Sequence, residues 1–327
     1  MFSRKLFKTI LLDPAKAGAD ELNIISGYAT SAMAFHHLNT IKAVLSKDIK
    51  VNLIVGMGIK DGLSKSNHLG FKKVMDEYES FICRYRINSP AVHSKVYSWC
   101  KNKKPFAGFV GSANYTQTAF YEKQGECLAK ADPELCQRYF NQFIKDTIAC
   151  THRDVESKIQ IYPDAVFARF KHPSQGRKPV LPKAGHKPRI AGVPYVRVSL
   201  LDNNHTLPTR SGLNWGQRPE LHRDPDQAYI RLPAAIYKTD FFPARALHFT
   251  VHTDDGKILT CSRAQENGKA IHTPYNNSLL GRYFRRRLGL ANGQLVKKGD
   301  LLRYGRSSID FYKIEDETYY MDFSKPS

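Results

Sequence analysis

The sequence has few cysteines and no long apolar run. Six cysteines occur among 327 residues, none in a Cys-x-x-Cys pair and most among apolar neighbours. Neither a zinc site nor a disulfide framework is therefore indicated. No apolar stretch approaches the length that spans a bilayer, and the N-terminus lacks the apolar segment and cleavage site of a signal peptide. We expect a soluble, cytoplasmic protein with reduced, buried thiols and no bound metal.

Acidic residues are scarce relative to basic ones. Lys and Arg number 50 against 30 Asp and Glu, which gives a formal net charge of +20. Residues 1–170 contain 24 basic and 16 acidic residues, and the remainder contains 26 and 14, so both parts are basic. Polyphosphate is the commonest partner of so basic a chain. The charge indicates that one part cleaves a polyanion that the other holds; a basic surface without such a partner is the alternative.

The patterning divides the chain into two domains. In residues 1–170, apolar runs such as 23–26 and 51–55 alternate with amphipathic stretches, which favours a layered α/β domain. A helix is predicted to begin after Asp132, which is a good N-cap. No acidic residue occurs from 165 to 201, whereas eight Lys and Arg do. Residues 171–190 are therefore predicted to be a basic linker that contains Pro and Gly.

Beyond the linker the pattern changes to short strands separated by turns. Asp254-Asp255-Gly256 is a strong hairpin signal. We predict that residues 191–327 form an all-β domain, a small barrel with one helix near 277–288. The predicted strands are 195–200, 228–232, 247–252, 258–262, 301–304, 309–314 and 318–323.

Two short motifs carry the chemistry of the first domain. His93 and Lys95 lie two residues apart in a stretch, 92–97, with the pattern of a strand, so both side chains should face one pocket. A Gly-Ser-x-Asn turn ends the next apolar run; its glycine permits close backbone approach, and Ser112 and Asn114 supply neutral donors. Imidazole, ammonium, hydroxyl and amide suit the oxygens of a phosphoryl group without requiring a metal. The motifs predict a phosphodiester-cleaving site.

His-x-Lys followed by Gly-Ser-x-Asn resembles the signature of the phospholipase D superfamily, over roughly the first half of the chain. The resemblance implies that Glu126, beyond the asparagine, orients His93. It also reveals one departure, because the superfamily usually has an aspartate five residues beyond the lysine, where this chain has Cys100. Since that aspartate does not contact the reacting atoms in the chemistry we infer, we expect the site to survive its replacement.

The second part carries a resemblance of its own. Residues 210–218, followed by 227–230, look like the C-terminal domain of NgoFVII-family restriction endonucleases, of the B3-like pseudobarrel DNA-binding class shared with plant transcription factors and BfiI-type enzymes. The order of domains is also similar to that family. The resemblance implies a sequence-specific endonuclease acting on double-stranded DNA, with an ATPase or helicase subunit and a cognate methyltransferase as further partners. The sequence has no Gly-x-x-x-x-Gly-Lys-Ser/Thr loop, so any ATP use would belong to a partner.

Histidine attack on phosphorus gives a phosphohistidine, and the reaction then needs a second histidine as general acid. One motif supplies one histidine. His172 and His186 lack the strand context and a following Gly-Ser-x-Asn, and His36-His37 has no lysine two residues on. We therefore predict a homodimer whose two-fold axis passes through the active site, with no cofactor. The predicted catalytic residues are His93, Lys95, Asn114, Ser112 and Glu126.

Two basic, amide-rich segments of the second domain are candidate DNA-reading arms. The first arm is residues 210–223, and the second begins at Asn276-Asn277 and enters the predicted helix. In the resembling family the corresponding segments grip the major groove, where arginine reads guanine and amides read adenine. The arginines at 282, 285, 286 and 287 are expected to point outward from the predicted helix; contacts to phosphate alone are the alternative for them. For Trp215, capping of the barrel is favoured over base contact. The candidate DNA-contacting residues are Arg210, Asn214, Trp215, Gln217, Arg218, Arg223, Asn276, Asn277, Arg282 and Arg285.

Two other functions fit parts of the pattern. The catalytic motif alone permits a phospholipase D-type lipid phosphodiesterase, but the charge, the single motif and the lack of an amphipathic membrane-binding stretch argue against it. A DNA-binding protein whose site has decayed is the second alternative, with Cys100 as its main support.

Overall fold

The computed structural model describes residues 1–121, 124–171 and 190–325. These residues form two compact units, Met1–Pro163 and Asp164–Ser327. Among the helices described, none is long and apolar enough to span a membrane.

A seven-stranded mixed sheet forms the centre of the first unit. Its strand order is β7-β6-β5-β1-β2-β4-β8, in which β1, β2 and β4 run parallel to one another. Ile24 and Ile25, adjacent in β1, lie in different apolar clusters, so the sheet is covered on both faces. This arrangement confirms the predicted α/β layering. The strands are β1 Glu21–Ser26, β2 Lys50–Val55, β3 Leu63–Ser64, β4 Phe81–Arg86, β5 Val96–Lys101, β6 Lys104–Gly111, β7 Leu128–Ala131, β8 Thr147–Ala149 and β9 Ile161–Tyr162; β3 and β9 form a separate pair.

Side-chain caps begin the longer helices of this unit. Thr30, Ser64 and Asp132 accept hydrogen bonds from the backbone N–H groups three residues ahead. The cap at Asp132 agrees with the start predicted for that helix. A π-helix, Phe7–Leu12, precedes the first α-helix. The α-helices are α1 Asp13–Lys16, α2 Ser31–Leu45, α3 Gly58–Asp61, α4 Lys65–Glu77, α5 Gln117–Phe120, α6 Pro133–Ile144 and α7 Val155–Lys158.

The second unit contains another seven-stranded sheet, of order β10-β15-β16-β12-β13-β14-β11. Neighbours are antiparallel except β12 and β16, and residues of the two end strands approach within 8 Å, so the sheet is nearly closed. The predicted hairpin joins β12 to β13 through Gly256, at φ +80°. The strands are β10 Tyr195–Ser199, β11 Ile230–Arg231, β12 His248–Thr253, β13 Ile258–Ala264, β14 Ala270–His272, β15 Ser308–Glu315 and β16 Thr318–Asp322.

The helices of the second unit correct one prediction. Residues 301–304, predicted as a strand, belong to helix α11, Lys298–Tyr304. The Asp300 carboxylate accepts from the Lys297 backbone N–H at 2.7 Å where this helix begins, and Gly305, at φ +89°, ends it. Leu301 and Tyr304 are buried at i,i+3 spacing, which is helical. The other helices are α8 Asp164–Lys171, α9 Ala234–Tyr237 and α10 Ser278–Leu288, so the domain holds more helix than predicted.

The first unit ends at Pro163 rather than at residue 170. Helix α8 packs on β15 of the second unit, and Asp164 lies 2.6 Å from Nδ1 of His252, both of them buried. Apart from its two end residues, the predicted linker, 171–190, lies outside the described residues.

Candidate active site

His93 and Lys95 meet immediately before strand β5. The predicted strand over 92–97 is wrong at its start: pairing begins at Val96, because the neighbouring β1 and β6 end there. The two side chains nevertheless meet, since Lys95 Nζ lies 3.1 Å from Nε2 and 3.3 Å from Nδ1 of the His93 ring. The same ammonium donates to the His93 carbonyl at 2.7 Å. Both side chains therefore share one pocket.

Lys95 is a buried cation, 6 % exposed, whereas His93 is exposed. Burial lowers the pKa of Lys95, and the negative charge of Glu126 raises it in part. An ammonium in such surroundings is weakly solvated by water, so it interacts strongly with a phosphate that enters the site.

Asn114 is held with its amide oxygen turned inward. That oxygen accepts from the backbone N–H of Tyr28 at 3.1 Å and lies 3.4 Å from the hydroxyl oxygen of Ser26. The amide NH2 group is thereby left to donate to an anion. Gly27 lies in the chain between Ser26 and Tyr28. Because it has no side chain, the His93 ring and the Asn114 amide both fit beside it. A Cβ there would lie 2.8 Å from Cδ2 of His93 and 3.4 Å from the Asn114 amide oxygen.

Ser112 and Glu126 form a pair beside this pocket. The Ser112 hydroxyl donates to the Glu126 carboxylate and accepts from the backbone N–H of Cys127 at 3.0 Å. The glutamate was expected to orient His93; in the structure it bonds Ser112 and acts on Lys95 through its charge. Close backbone approach at the turn is confirmed, since a Cβ on Gly111 would lie 2.2 Å from the Cys127 carbonyl oxygen.

Tyr28 forms one wall of the pocket. Its ring meets the His93 ring edge-on, with centroids 5.7 Å apart, and its hydroxyl donates to Asp61. Burial, aided by the hydrogen bond to Asp61, raises the pKa of Tyr28 to about 12. Sequence reasoning missed Gly27 and Tyr28. The signal that could have found them is their place at the carboxyl end of the buried strand β1, where ligands gather in α/β sheets.

Cys100 lies on the part of β5 that contacts helix α6. It is 4 % exposed, and its thiol donates to the amide oxygen of Gln137 on helix α6 at 3.4 Å. The same oxygen accepts from Ser98 at 2.9 Å and Asn23 at 3.0 Å. Tyr139, also on α6, donates to Ser94 at 3.1 Å. Position 100, which usually holds an aspartate, thus takes part in the hydrogen bonds between β5 and α6, with the Gln137 amide oxygen as the acceptor.

The described residues include no group of three or more His, Cys, Asp or Glu side chains that could hold a metal ion. The polar group within hydrogen-bond distance of the His93 ring is instead the Lys95 ammonium, which is a donor to oxygen rather than a metal ligand.

The candidate DNA-reading residues of the first arm differ in whether their side chains are exposed and able to contact DNA. Asn214 is fully buried: its amide donates to the carbonyls of Pro208 and Val296 and accepts from the Val296 N–H at 2.9 Å. The prediction that it contacts a base is therefore wrong, because its hydrogen bonds are already made. Arg210 is exposed and pairs with Glu220, and Arg218 donates to the Arg210 carbonyl at 2.9 Å.

Three further residues of this arm pack against one another or the backbone. The guanidinium of Arg223 stacks 4.2 Å from the Trp215 ring centre. Trp215 also meets Tyr229 edge-on, which is the packing role favoured for it. Gln217 donates its amide hydrogens to the carbonyls of Pro225 and Gly293. Its amide is therefore a bridge between two loops.

Helix α10 corrects the expectation of four outward arginines. Arg285 is 0 % exposed, donates to the Gln294 carbonyl at 2.7 Å, and lies 3.3 Å from the buried Asp226. Arg287 is largely buried and pairs with Asp254 at 2.7 Å. Base contact by Arg285 is thus excluded, since the guanidinium serves the core of the domain. Arg282 is half-exposed and pairs with Asp224 and Asp226, and Arg286 is exposed and pairs with Asp255.

The turn before α10 holds the last two candidates. The Asn276 amide oxygen accepts from the Ser278 N–H at 2.9 Å, and that of Asn277 lies 2.8 Å from Nδ1 of His272. Asn276 is exposed and Asn277 is half-buried.

Comparison with known proteins agrees with both halves of this description. The model of the NgoFVII restriction endonuclease N-terminal PLD domain matches residues 4–157, and that of the NgoFVII C-terminal B3-like DNA-binding domain matches residues 189–315. The chain is thus a DNA endonuclease of the phospholipase D superfamily, coupled to a DNA-binding domain. More particularly, it belongs to the NgoFVII restriction endonuclease family.

Two solved structures are similar to part of the chain. NucT from Helicobacter pylori is 19 % identical, over 45 % of this chain and 92 % of NucT, with a TM-score of 0.33. A polyphosphate kinase from Porphyromonas gingivalis is 14 % identical, over 42 % of this chain and 19 % of the kinase, with a TM-score of 0.28. The matched part therefore spans about a fifth of that kinase. No curated protein matches the chain.

Proposed function

We propose that this chain is a sequence-specific restriction endonuclease that hydrolyses DNA phosphodiesters without a metal ion, through a phosphohistidine intermediate at a dimeric active site. The observation that carries the proposal is the exposed His93 ring, with the buried Lys95 ammonium 3.1 Å away and the Asn114 amide oriented beside it. These groups supply a nucleophile and the positive field that a phosphoryl group needs.

The proposed reaction has two displacements. A ring nitrogen of His93 attacks phosphorus and forms a P–N bond, while the bond to the leaving deoxyribose oxygen breaks and that oxygen takes a proton from a second imidazole. Water then attacks phosphorus and gives its proton to the second imidazole, and the P–N electron pair returns to His93. Lys95 and Asn114 donate to the equatorial oxygens as their charge grows.

The second imidazole is proposed to be His93 of another copy of this chain. Among the described histidines of the first unit, His36, His37 and His68 are buried and bonded to tyrosine hydroxyls, so they are not available to a substrate. His152 is exposed, but it has no lysine two residues on, and its Nδ1 accepts from the backbone N–H of Asp154. A two-fold axis through the site would supply the missing acid and double the cationic groups. Because such a dimer has one catalytic centre, it would cut the two DNA strands one after the other.

Sequence specificity is assigned to the B3-like domain, whose family match names it as DNA-binding. An ATPase or helicase subunit and a cognate methyltransferase remain proposed partners, in keeping with the family.

Plasmid cleavage in the presence of EDTA tests the proposal. The wild type is expected to cleave, and His93→Ala is expected to lose cleavage while it retains duplex binding. His152→Ala, at an exposed histidine of the first unit, is the matched control and should cleave normally. Dependence on added magnesium, or cleavage by His93→Ala, would contradict the proposal.

A further inference from the structure

Tyr275 is the most exposed large apolar side chain described in the second unit. It is 68 % exposed, against 65 % for Leu302 and 51 % for Leu221. It lies in the turn between β14 and α10, directly before Asn276. Packing of this ring against a bound partner would be favourable, because its apolar surface would leave water.

The turn that presents Tyr275 is fixed by hydrogen bonds on both sides. The buried Thr273 hydroxyl donates to the Asn276 carbonyl at 2.7 Å. Asn276 and Asn277 are held by Ser278 and His272 through their amide oxygens. A ring on so rigid a support loses little conformational entropy on binding.

The same turn contacts the residues that directly follow the first arm. The N–H of Ala228 donates to the Asn277 carbonyl at 3.1 Å, and Arg282, one helical turn further on, pairs with Asp224. The turn is thereby joined to residues 224–228. Arg285 of the following helix is buried beside Asp226, so side chains other than this arginine must read the bases there.

We propose that Tyr275 is a specificity-determining residue that packs its ring on the C5-methyl group of a thymine in the major groove. This inference rests on the sequence specificity proposed above. The thymine methyl is the apolar feature of the major groove, and apolar side chains read it by contact. The Asn276 and Asn277 amides are held by their oxygens, which leaves their NH2 groups to donate and the exposed ring of Tyr275 as the apolar recognition element of this turn.

The test uses the full chain and its own selected site. Wild-type protein selects a duplex from a random library, and binding is then measured on that duplex and on a scrambled one. Tyr275→Ala should bind the selected duplex on the order of tenfold more weakly, with no change on the scrambled duplex or in salt dependence. Tyr275→Phe should bind within about threefold of wild type, because the ring remains. Leu302→Ala, at an equally exposed apolar residue of α11, is the matched control and should change neither duplex.

Replacing each thymine of the selected site by uracil removes one methyl group at a time. At one position this change should weaken wild type and Tyr275→Phe, and should leave Tyr275→Ala unaffected. The inference is overturned if Tyr275→Ala loses affinity equally for both duplexes, or if every uracil position affects it as it affects wild type. If wild type selects no motif, the proposed sequence specificity fails together with this inference; a selected motif bound normally by Tyr275→Ala contradicts the inference alone.

Discussion

The two units use their cations in opposite ways. In the first, Lys95 is buried beside an exposed histidine and close to an amide that is free to donate, so its charge is directed at a ligand. In the second, Arg285 and Arg287 are held by Asp226 and Asp254 inside the domain. The second part carries the larger net charge by sequence, yet several of its arginines support the fold. Net charge therefore identifies a partner class but does not identify the contacting residues.

The largest difference between the two units is expected in their stability at acid pH. Burial lowers the pKa of His36, His37 and His68 from 6.5 to about 4. The unfolded chain thus binds protons on these histidines at a pH where the folded unit does not, and stability falls as pH drops from 6.5 towards 4. A shift of this size at the fully buried His37 corresponds to about 3 kcal/mol.

The second unit should resist acid longer. The pKa of Asp322 is lowered from 3.8, because hydrogen bonds from Ser324 and Arg306 outweigh the effect of burial. A carboxylate of this kind stabilises above its unfolded pKa and loses its contribution only as pH falls through its lower folded value. Burial also lowers the pKa of His272, so the second unit shares part of this effect.

The chain has two tryptophans, one in each unit, which allows each unit to be followed alone. Fluorescence of Trp99 in Trp215→Phe should report unfolding at a higher pH than fluorescence of Trp215 in Trp99→Phe. Coincident transitions, or the reverse order, would show that the buried histidines do not set the acid stability of the first unit.

Substitution of a buried arginine should lower the free energy of unfolding of the second unit more than substitution of an exposed arginine. Arg285→Ala leaves Asp226 as a buried charge without this partner and should cost about 3 kcal/mol or more. Arg286→Ala removes an exposed pair with Asp255 and should cost no more than about 0.5 kcal/mol. Denaturant unfolding followed by Trp215 in the Trp99→Phe background measures both. Equal losses would contradict the assignment of Arg285 to the core.

A methyl group at Gly27 tests how tightly the active site is packed. Its Cβ would lie 2.8 Å from the His93 ring, so the ring must shift, and Gly27→Ala should lower cleavage on the order of 100-fold. Gly125→Ala is the matched control, because a Cβ there meets no heavy atom within 4 Å. Both variants should keep the thermal stability of wild type to within a few degrees. Normal cleavage by Gly27→Ala would show that His93 does not need this position.

The smallest expected effect is a gain in stability that accompanies lost activity. Lys95→Met removes a buried ammonium and should abolish cleavage, while it raises the free energy of unfolding by up to about 1 kcal/mol. Since burial lowers the pKa of Lys95, the folded wild type releases this proton before the unfolded chain does as pH rises. The advantage of the variant should therefore be greatest near neutral pH and shrink in alkali. A variant less stable than wild type would contradict this view.

Local patterns predicted what depends on near neighbours. The buried runs at β1 and β2, the cap at Asp132 and the hairpin at Gly256 were all evident from the sequence. The motif residues His93 and Lys95 were also found, because alternation along an extended chain fixes their common face. Residues 301–304 were misassigned since a short apolar run fits a strand and a helix equally well.

Contacts between distant residues could not be predicted. Asn214 bonds Val296, 82 residues away, and nothing in its own segment distinguishes a buried amide from one that reads a base. Gly27 and Tyr28 reach the site because β1 lies next to β5 in the sheet, which is a matter of topology rather than of spacing. The start of β5 likewise depends on where its two partners end.

The configuration at phosphorus tests the central claim most directly. A duplex with one chiral phosphorothioate at the scissile position is cleaved in water enriched in 18O, and the configuration of the product is determined. Two successive displacements through His93 predict retention, because each displacement inverts phosphorus once. Inversion would show that water attacks directly, and the covalent role assigned to His93 would be wrong.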